Sequence, residues 1–379
     1  MKILLVRPPA RFFGDSAKPS ASIPLGLLYI AAILEKNEYA VEIYDAQINS
    51  SKFIHRYPNG EIYAGDSWEK IEEEISNRKV DVIGITNMFA TQIESTIRVA
   101  EIVKKINKDI ITVVGGSHPS AQPQDFFFKT DSVDIVCVGE GEYTMLDIVD
   151  SLKDKRDLRN ISGTVVRDQN GMKINRKRPY ILDLDTLPFP AYHLIRLEDY
   201  FSLYAEGFTD RPVWPYPGSE RAVSVVTSRG CPFNCIFCSI HLHMGNVWRF
   251  HSIEYVIRHL SFLIQKYNIH HVHFEDDNLT LNPARFKKML REFLNKEMHF
   301  TWDTPNGIRV DTLTKELLLD CKRSGCTYLI FGIESGNQRV LNDIIDKRLD
   351  LDGVSPVASW CKEIHLDTMA FFVIGFPGE

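Results

Sequence analysis

The chain has 379 residues, 44% hydrophobic and 25% charged, with seven cysteines and a formal net charge of −6 at pH 7. This composition is typical of a folded protein with room for two domains, and its acidic balance argues against a general surface for nucleic acid or anionic membranes. No apolar run has the length of a signal peptide or of a membrane span of about 20 residues, so we expect a cytoplasmic protein in a reducing compartment.

Residues 1–152 alternate short β-branched runs with amphipathic helical stretches, which predicts βαβ units around a parallel sheet of the doubly wound, flavodoxin-like kind. The predicted strands are Lys2–Val6, Val41–Asp45, Val82–Thr86, Ile110–Val114 and Ile135–Val138. The predicted helices are Gly26–Asn37, Ser67–Arg78, Thr91–Ile106 and Tyr143–Leu152. Ligands of such sheets bind beyond the carboxyl ends of the strands, so the loops there form a candidate site.

Four of these loops stand out: Arg7-Pro8-Pro9, Asn87–Thr91, Gly115–Pro119 and Gly139–Glu142. Glycine allows the backbone to approach a ligand closely, although each loop taken alone also fits an ordinary turn. Together, with Pro24-Leu25-Gly26 opening the first helix, they resemble the N-terminal cobalamin-binding domain of many radical S-adenosylmethionine (SAM) proteins. The resemblance implies that cobalamin is lined by Asn87, Thr91, Gly115, Gly116, Ser117, His118, Gly139, Glu140 and Gly141.

The DxHxxG loop, which supplies a histidine ligand to cobalt in other cobalamin proteins, does not occur in this chain. His118 is the nearest histidine in a suitable loop. We expect it to form a hydrogen bond within its loop or to contact the tail of the cofactor. The resemblance therefore implies a cobalt without a protein histidine.

Residues 153–220 are predicted to form a linker. Within it, Ile161–Arg167 and Lys173–Arg178 flank Asn170-Gly171, a strong hairpin signal. Prolines restrict the backbone at 185–191 and 211–218. The aromatic residues of this region are candidates to reach the active site, and packing of the linker is their simpler role: Tyr204, Trp214 and Tyr216.

Residues 221–379 resume the alternation and predict a partial (β/α) barrel, with its chemistry at the carboxyl ends of the strands. The predicted strands are Ala222–Thr227, His271–Glu275, Phe300–Asp303, Tyr328–Ile333 and Met369–Ile374. The predicted helices are Ile253–Tyr267, Ala284–Asn295, Thr314–Ser324 and Gly353–His365.

Three cysteines, Cys231, Cys235 and Cys238, form a CxxxCxxC run after the first of these strands. A 4Fe-4S cluster normally takes four thiolates, so three leave one iron open. With Pro232 and Phe237, the run resembles the cluster loop of the radical SAM superfamily, where the open iron binds SAM. The alternative is a zinc site or three buried cysteines, and a zinc ion would need a fourth ligand nearby.

Acidic residues follow the second strand of the barrel, at 275–277. By the resemblance, Glu275 and Asp276 accept the amino group of SAM, since a buried ammonium needs such acceptors. Helix capping is the expected role of Asp277 and Asn278.

The later strands carry the other residues that the resemblance assigns to SAM. Arg309 offers a fork for a carboxylate, with a surface ion pair as its alternative role, and Glu334 ends the fourth strand. Gly375 and Pro377 resemble the turn that contacts adenine. The sequence stops there, one strand short of the family's barrel, so we expect a chain truncated at its last strand, with an unpaired edge.

The remaining cysteines and the histidine-rich segments are predicted to be structural. Core packing is expected for Cys321, Cys326 and Cys361, because free buried cysteines behave as small hydrophobes. Metal binding is not expected for the histidines, because they share no helical face: His241, His243, His270, His271 and His273.

The resemblance implies an enzyme that uses a 4Fe-4S cluster, SAM and cobalamin. Flavodoxin or ferredoxin reduces the cluster, SAM yields a 5'-deoxyadenosyl radical, and methylcobalamin methylates an unactivated carbon of a small-molecule or lipid-like substrate. The alternatives are radical cyclisation or rearrangement, and a cobalamin- or redox-sensing binding protein, against which the SAM motifs argue. No nucleic acid partner and no transmembrane segment are expected.

Overall fold

The computed structural model describes residues 1–13, 22–49, 53–168, 171–208 and 219–379. The described residues fall into two compact units. Those of Met1–Ile181 and Leu187–Asp210 form the first unit, and those of Leu182–Thr186 and Arg211–Glu379 form the second. The sequence-based division at residues 152 and 220 stays a prediction.

The first unit mixes parallel strands with helices in the predicted order. Its strands are β1 (Lys2–Arg7), β2 (Ala10–Phe13), β3 (Ala40–Asp45), β4 (Ile54–Arg56), β5 (Glu61–Ala64), β6 (Val82–Thr86), β7 (Ile111–Gly115), β8 (Ile135–Cys137), β9 (Thr164–Asp168) and β10 (Gly171–Ile174). Its helices are α1 (Leu25–Lys36), α2 (Trp68–Ser76), α3 (Ile93–Ile106), α4 (Ser117–Ala121), α5 (Gln124–Lys129), α6 (Glu142–Lys153) and α7 (Leu197–Ala205).

The main sheet of this unit has the strand order β10-β9-β8-β7-β6-β1-β3. Strands β3, β1, β6, β7 and β8 are parallel and follow the flavodoxin-like order, which confirms the predicted fold class. Successive residues of β1 enter different hydrophobic clusters, with Leu4 and Val6 in one and Ile3 and Leu5 in the other. Both faces are therefore buried, which is why these strands read as continuous apolar runs.

Three features of the first unit were not predicted or were predicted only in part. A small antiparallel sheet, β2-β5-β4, and the helix α7 were missed. The hairpin of β9 and β10 is present as predicted, but Asn170 lies outside the described residues, as do Trp214 and Tyr216. Tyr204 lies in α7, whose Tyr200 hydroxyl donates to Asp45 Oδ2 at 2.6 Å.

The second unit continues the alternation. Its strands are β11 (Ala222–Val225), β12 (Ser228–Arg229), β13 (Arg249–Phe250), β14 (His271–Phe274), β15 (Thr301–Ile308), β16 (Cys326–Glu334) and β17 (Asp367–Phe372). Its helices are α8 (Ile240–His243), α9 (Ile253–Tyr267), α10 (Pro283–Asn295), α11 (Lys315–Arg323) and α12 (Val354–Glu363), with a π-helical turn at Val340–Ile344.

Five parallel strands in the order β11-β14-β15-β16-β17 form the main sheet of the second unit, which confirms the predicted partial barrel. On its helix-covered face, Phe274 of β14 lies 5.6 Å from Trp302 of β15 between ring centroids, and Trp302 lies 6.1 Å from Phe286 of α10. Because side chains alternate along a strand, the neighbours of Phe274 and Trp302 in sequence lie on the opposite, inner face.

The third barrel strand is longer than predicted. It runs to Ile308, past the predicted end at Asp303, and its register against β16 shifts between Thr304 and Ile308. Asn306 and Gly307 therefore lie inside the strand. The alternation of apolar and polar residues did not predict this, because the register shift interrupts it. In the described part of the chain, no helix is long and apolar enough to cross a membrane.

Candidate functional site

The cysteine run follows β12 after a single residue, Gly230, at a position that only glycine can occupy. Gly230 has φ +83°, and a Cβ there would lie 2.5 Å from the carbonyl oxygen of Val247. Cys231 N–H donates to Gly245 O at 3.2 Å, and Ile236 N–H donates to Ile345 O at 3.0 Å. The loop is therefore held at both ends by the backbone of other segments.

All three cysteines of the run are free and half-buried. A single zinc ion at about 2.3 Å from each sulfur holds its ligands within about 3.8 Å of one another. Among the described residues, the three Sγ atoms do not form a group within 4.8 Å. In this structure the three Sγ atoms are therefore not arranged around one zinc ion.

Part of the positive charge near these thiols comes from Lys347, a residue that the sequence analysis missed. Burial raises the pKa of Cys235 and of Cys238, and the positive charge of Lys347 opposes the rise at both. Lys347 is itself buried, and its Nζ lies 3.2 Å from Glu334 Oε1. A lone lysine in a short loop carries no sequence signal, so only the fold reveals this position.

Glu334, the last residue of β16, has the backbone conformation expected of a strained functional residue. Its φ is +71°, which is unusual for a residue other than glycine. The side chain is buried and its partner is Lys347. This strain and burial agree with the sequence-based preference for a functional role.

Asp276 is fully enclosed at the corner between β11 and β12. Its carboxylate accepts the Thr227 N–H at 3.1 Å and the hydroxyls of Thr227 and Ser228 at 2.7 and 2.5 Å. Burial raises its pKa, and these hydrogen bonds act in the opposite direction. In this structure Asp276 holds the corner that leads into the cysteine run, and its contact with the amino group of SAM stays a prediction.

The capping role predicted for Asp277 and Asn278 is wrong. The cap of α10 is Asn282, whose side chain accepts from Arg285 N–H. Asp277 Oδ2 accepts Gly230 N–H at 2.7 Å, and Asn278 Nδ2 donates to Cys231 Sγ at 3.7 Å. Both residues therefore support the cysteine run, because the segment after β14 turns towards that run before α10 begins.

Glu275 lies half-buried at the carboxyl end of β14, and Ser224 Oγ donates to its Oε1. Asn306 Nδ2 donates to the carbonyl oxygen of Glu275 at 2.9 Å. Ser224 of β11 thus orients the carboxylate of Glu275, and Asn306 of β15 holds its backbone. Both contacts lie at the carboxyl ends of the strands, where the residues predicted to bind SAM are found.

Arg309 is itself buried, and the ion pair considered as its alternative role is present, with the exposed Asp311 as the partner. Its guanidinium donates to both carboxylate oxygens of Asp311 and to Lys347 O at 3.0 Å, and it lies 4.0 Å from the ring centroid of Phe233. It therefore links the end of β15, the Lys347 segment and the cysteine run.

The turn after β17 is adjacent to the same run. The Phe376 ring lies 6.0 Å from the ring of Phe237, and Gly375 N–H donates to Glu379 Oε2 at 2.7 Å. The exposed Gly375–Pro377 backbone thus lies next to the aromatic residue that precedes the last cysteine.

In the first unit, Asn87 and Gly116 occupy the carboxyl ends of β6 and β7. Gly116 has φ +127°, and a Cβ there would lie 2.2 Å from Asn87 O. Asn87 N–H donates to Gly115 O at 2.7 Å, and its buried Oδ1 has no hydrogen-bond partner among the described residues. The close approach and the orphaned acceptor mark this edge as a binding surface.

The loop after β8 is joined to the loop after β7 through Ser120. Ser120 Oγ donates to Gly116 O at 2.7 Å and accepts Gly139 N–H at 3.0 Å. The buried Glu140 accepts Ile181 N–H at 2.8 Å, and Gly141 caps α6.

The other predicted cobalamin residues lie at the same strand ends. Thr91 is exposed and its carbonyl accepts from Arg11, while Ser117 begins α4. His118 makes local contacts, with Nε2 3.3 Å from Asp125 Oδ2 and its ring edge-on to Phe126.

Exposed apolar residues complete this edge. Met88 and Phe89 are 48% and 64% exposed, directly after β6. Exposed apolar side chains are what a flat, largely apolar macrocycle would cover. The residues present therefore fit a corrin.

The remaining cysteines agree with the prediction of a core role, and two of the histidines need a further comment. Cys321, Cys326 and Cys361 are free and buried, as expected of core residues. The prediction considered only a shared helical face, and His271 and His273 lie on a strand. They are two residues apart on β14 and so share its inner face.

Comparison with known proteins agrees with both units. The family model of the B12 binding domain matches residues 19–149, and that of the Radical SAM superfamily matches residues 225–379. An uncharacterised methyltransferase of Pyrococcus horikoshii is 32% identical over 100% of this chain and 75% of its own length. The cytidylyl-2-hydroxyethylphosphonate methyltransferase of Streptomyces wedmorensis is 30% identical over 99% of this chain and 73% of its own length.

A more distant relative, the anaerobic magnesium-protoporphyrin IX monomethyl ester cyclase of Rubrivivax gelatinosus, is 23% identical over 100% of this chain and 63% of its own length. Among solved structures, the radical SAM methyltransferase TsrM of Kitasatospora setae superposes with a TM-score of 0.76 at 16% identity, over 100% of this chain and 68% of that one. The cobalamin-dependent SAM radical enzyme OxsB superposes with a TM-score of 0.74 at 21% identity, over 98% of this chain and 49% of that one.

These structures share the fold, and the relatives with 32% and 30% identity match essentially the whole chain. Cobalamin, SAM and a 4Fe-4S cluster are the cofactors of the matched domains. The chain therefore belongs to the cobalamin-binding radical SAM enzymes.

Proposed function

We propose that this enzyme methylates an unactivated carbon of a small-molecule or lipid-like substrate. The observation that carries the proposal is that two relatives with 32% and 30% identity, over 100% and 99% of the chain, are named methyltransferases. The relative named as a cyclase is 23% identical, and it favours radical cyclisation or rearrangement as the second candidate.

The second unit would hold the cluster and SAM at one strand edge. Cys231, Cys235 and Cys238 would supply the thiolates, because all three are free and half-buried in one run. Glu275 would accept the amino group of SAM because Ser224 orients its carboxylate. Asp276 would act through the loop that it anchors.

The same edge offers residues for the rest of SAM. Arg309 and Glu334 would contact it. Lys347 joins them because its ammonium pairs with Glu334 and its charge acts on Cys235 and Cys238. The backbone of Gly375 and Pro377 would contact adenine beside Phe237.

In the first unit, the predicted cobalamin contacts are the residues at the carboxyl ends of β6, β7 and β8. Asn87 and Gly116 offer an unsatisfied acceptor and a close backbone approach. Met88 and Phe89 would be shielded from water by the macrocycle. Bound in these two sites, the cluster and SAM would supply a 5'-deoxyadenosyl radical, and cobalamin would supply the methyl group.

The cluster needs a one-electron donor, which we propose to be a flavodoxin or a ferredoxin. An oxygen-sensitive cluster and free cysteines both suit the cytoplasm. The net charge of −6 is unfavourable for a nucleic acid partner.

The proposal is tested by reconstituting the protein anaerobically with iron, sulfide and cobalamin, and then adding SAM, a reductant and extract of the source cells. Mass spectrometry quantifies 5'-deoxyadenosine and S-adenosylhomocysteine. Methylation predicts that both products rise together. 5'-Deoxyadenosine alone would support cyclisation or rearrangement and refute methylation.

The matched control is Cys235→Ala, which removes one thiolate and leaves the first unit untouched. We expect it to lose iron and sulfide while it keeps cobalamin. Normal iron and sulfide in this variant would show that the run does not hold the cluster.

A further inference from the structure

A second group of potential metal ligands lies on the inner face of the barrel sheet. His271 and His273 of β14 and Asp303 of β15 are 2%, 7% and 1% exposed. Asp303 Oδ2 lies 3.0 Å from His271 Nε2, and Asp303 Oδ1 lies 2.8 Å from His273 Nδ1. One ligand atom from each residue lies within 4.8 Å of the other two.

The sheet itself brings these three side chains together. Side chains two residues apart on a strand share a face, and the parallel register pairs His273 with Asp303. The helix-covered face takes Phe274 and Trp302 instead. The polar group is therefore fixed by strand geometry and does not depend on mobile loops.

A threonine sets the orientation of one ring. Thr301 Oγ1 lies 2.7 Å from His271 Nδ1 and donates to His270 O at 3.2 Å. When the hydroxyl donates to that carbonyl, it accepts Nδ1–H of His271. In this tautomer the lone pair of Nε2 faces the carboxylate of Asp303, and in the other tautomer Nε2–H donates to Asp303.

In the first tautomer, the lone pair of His271 Nε2 and the carboxylate of Asp303 face each other at 3.0 Å, and a cation bound by both would stabilise this arrangement. Within the described residues, Asp303 has ion pairs with these two histidines and with no lysine or arginine.

We propose that His271, His273 and Asp303 bind one divalent first-row transition ion, zinc or ferrous iron, separate from the thiolate cluster. Two imidazoles and a carboxylate are ligands that such ions prefer. Ligands of a six-coordinate ion at about 2.1 Å and at right angles lie about 3 Å apart, whereas the tetrahedral ligands of zinc lie about 3.4 Å apart. The nitrogen-to-oxygen distances of 3.0 and 2.8 Å therefore suit six-coordinate ferrous iron better than zinc.

The site also has an outer shell. Histidine ligands usually donate their second ring N–H to an oxygen that fixes the ring, and Thr301 is placed to do this for His271. The ion would join β14 to β15 two residues before Glu275 and offset the buried charge of Asp303. Its role is structural, because Glu275 and the cysteine run lie at the carboxyl ends of the strands.

The test uses the full chain with Cys231→Ser, Cys235→Ser and Cys238→Ser, which removes the competing thiolates. This protein is titrated with Co²⁺ and gel-filtered. Bound cobalt is measured by atomic emission and by its visible ligand-field absorption. We expect one cobalt per chain, displaced by Zn²⁺, and a rise in the melting temperature of the second unit.

The matched variants separate ligation from folding. Adding His271→Gln and His273→Gln should abolish cobalt binding, whereas His259→Gln, which changes another buried histidine of this unit, should retain it. Thr301→Val keeps the shape of the side chain, and it should weaken binding about 10–100-fold because the outer shell is lost.

Binding below one equivalent that is unchanged in the His271→Gln, His273→Gln variant would overturn the proposal. It would show that Nε2 of His271 carries a proton and that the three residues form only a hydrogen-bonded group. Circular dichroism confirms that each variant is folded before its metal content is compared. Loss of methyl transfer plays no part in this test, so its result is independent of the proposed function.

Discussion

The buried ion pair of Lys347 and Glu334 allows a quantitative test of how the predicted SAM site is stabilised. Lys347→Met keeps the length of the side chain and removes its charge. The two side chains are only 9% and 10% exposed, so Glu334 would remain as a buried carboxylate without its partner. Breaking one side of such a pair costs about 3–5 kcal/mol.

The double variant Lys347→Met, Glu334→Gln removes both charges at nearly constant volume. Replacing a whole buried pair is often close to neutral, so we expect this variant to lose less than about 1–2 kcal/mol. With the single variant Glu334→Gln added, the double-variant cost minus the two single-variant costs gives the coupling of Lys347 to Glu334, whose Nζ and Oε1 atoms are 3.2 Å apart.

Hydrogen exchange is the suitable assay because the chain has two units that need not unfold together. Exchange of peptides from β16 reports the opening free energy of the second unit, and peptides from β6 provide the internal reference. A cost below about 1 kcal/mol for Lys347→Met would show that Glu334 reaches water. An equal cost in both variants would show that the packing of Lys347 matters and its charge does not.

Two further predictions follow from the backbone and from the buried histidines. Gly116→Ala should lose cobalamin and destabilise the first unit by more than about 3 kcal/mol, because its Cβ would lie 2.2 Å from Asn87 O. The control Gly207→Ala, with φ +82° and nothing within 4 Å, should cost about 1 kcal/mol and keep cobalamin; equal effects would contradict the steric argument. Burial lowers the pKa of His251 to about 4 and of His259 to about 3, from a usual 6.5. As the pH falls below 6.5, the unfolded chain binds these protons before the folded chain does. The free energy of unfolding of the second unit is therefore unaffected by these rings above pH 6.5 and falls towards pH 4, by up to about 1.4 kcal/mol per pH unit for each ring. Urea midpoints between pH 7 and 4 test this, and an unchanged slope in His259→Leu would refute it.

The strands and helices were predictable where a period was regular. The buried β1 and the amphipathic α9 were both found, since their patterns extend over several residues. The small sheet β2-β5-β4 was missed because strands of three or four residues carry no period of their own. The carboxyl end of β15 was misplaced because its register shift interrupts the alternation.

Candidate site positions were easier to predict than the contacts that those positions make. The acids after β14 were found because polar residues at a strand end are visible in the sequence. Their partners are distant in the chain: Asp276 bonds to Thr227, and Asp277 bonds to Gly230. A local rule such as helix capping fails here, because it considers only the neighbours in sequence.

The same reasoning explains why Lys347 had no sequence signal and why its role should be sought in its contacts. It lies in a loop without a motif, yet its ammonium pairs with Glu334 and its carbonyl accepts from Arg309. The backbone of that loop also holds the cysteine run, through Ile345 O and Ile236 N–H. A change in this loop would therefore reach both predicted SAM contacts and the thiolates at once. We expect substitutions of Lys347 to alter SAM cleavage more than cobalamin binding, because every one of these partners lies in the second unit.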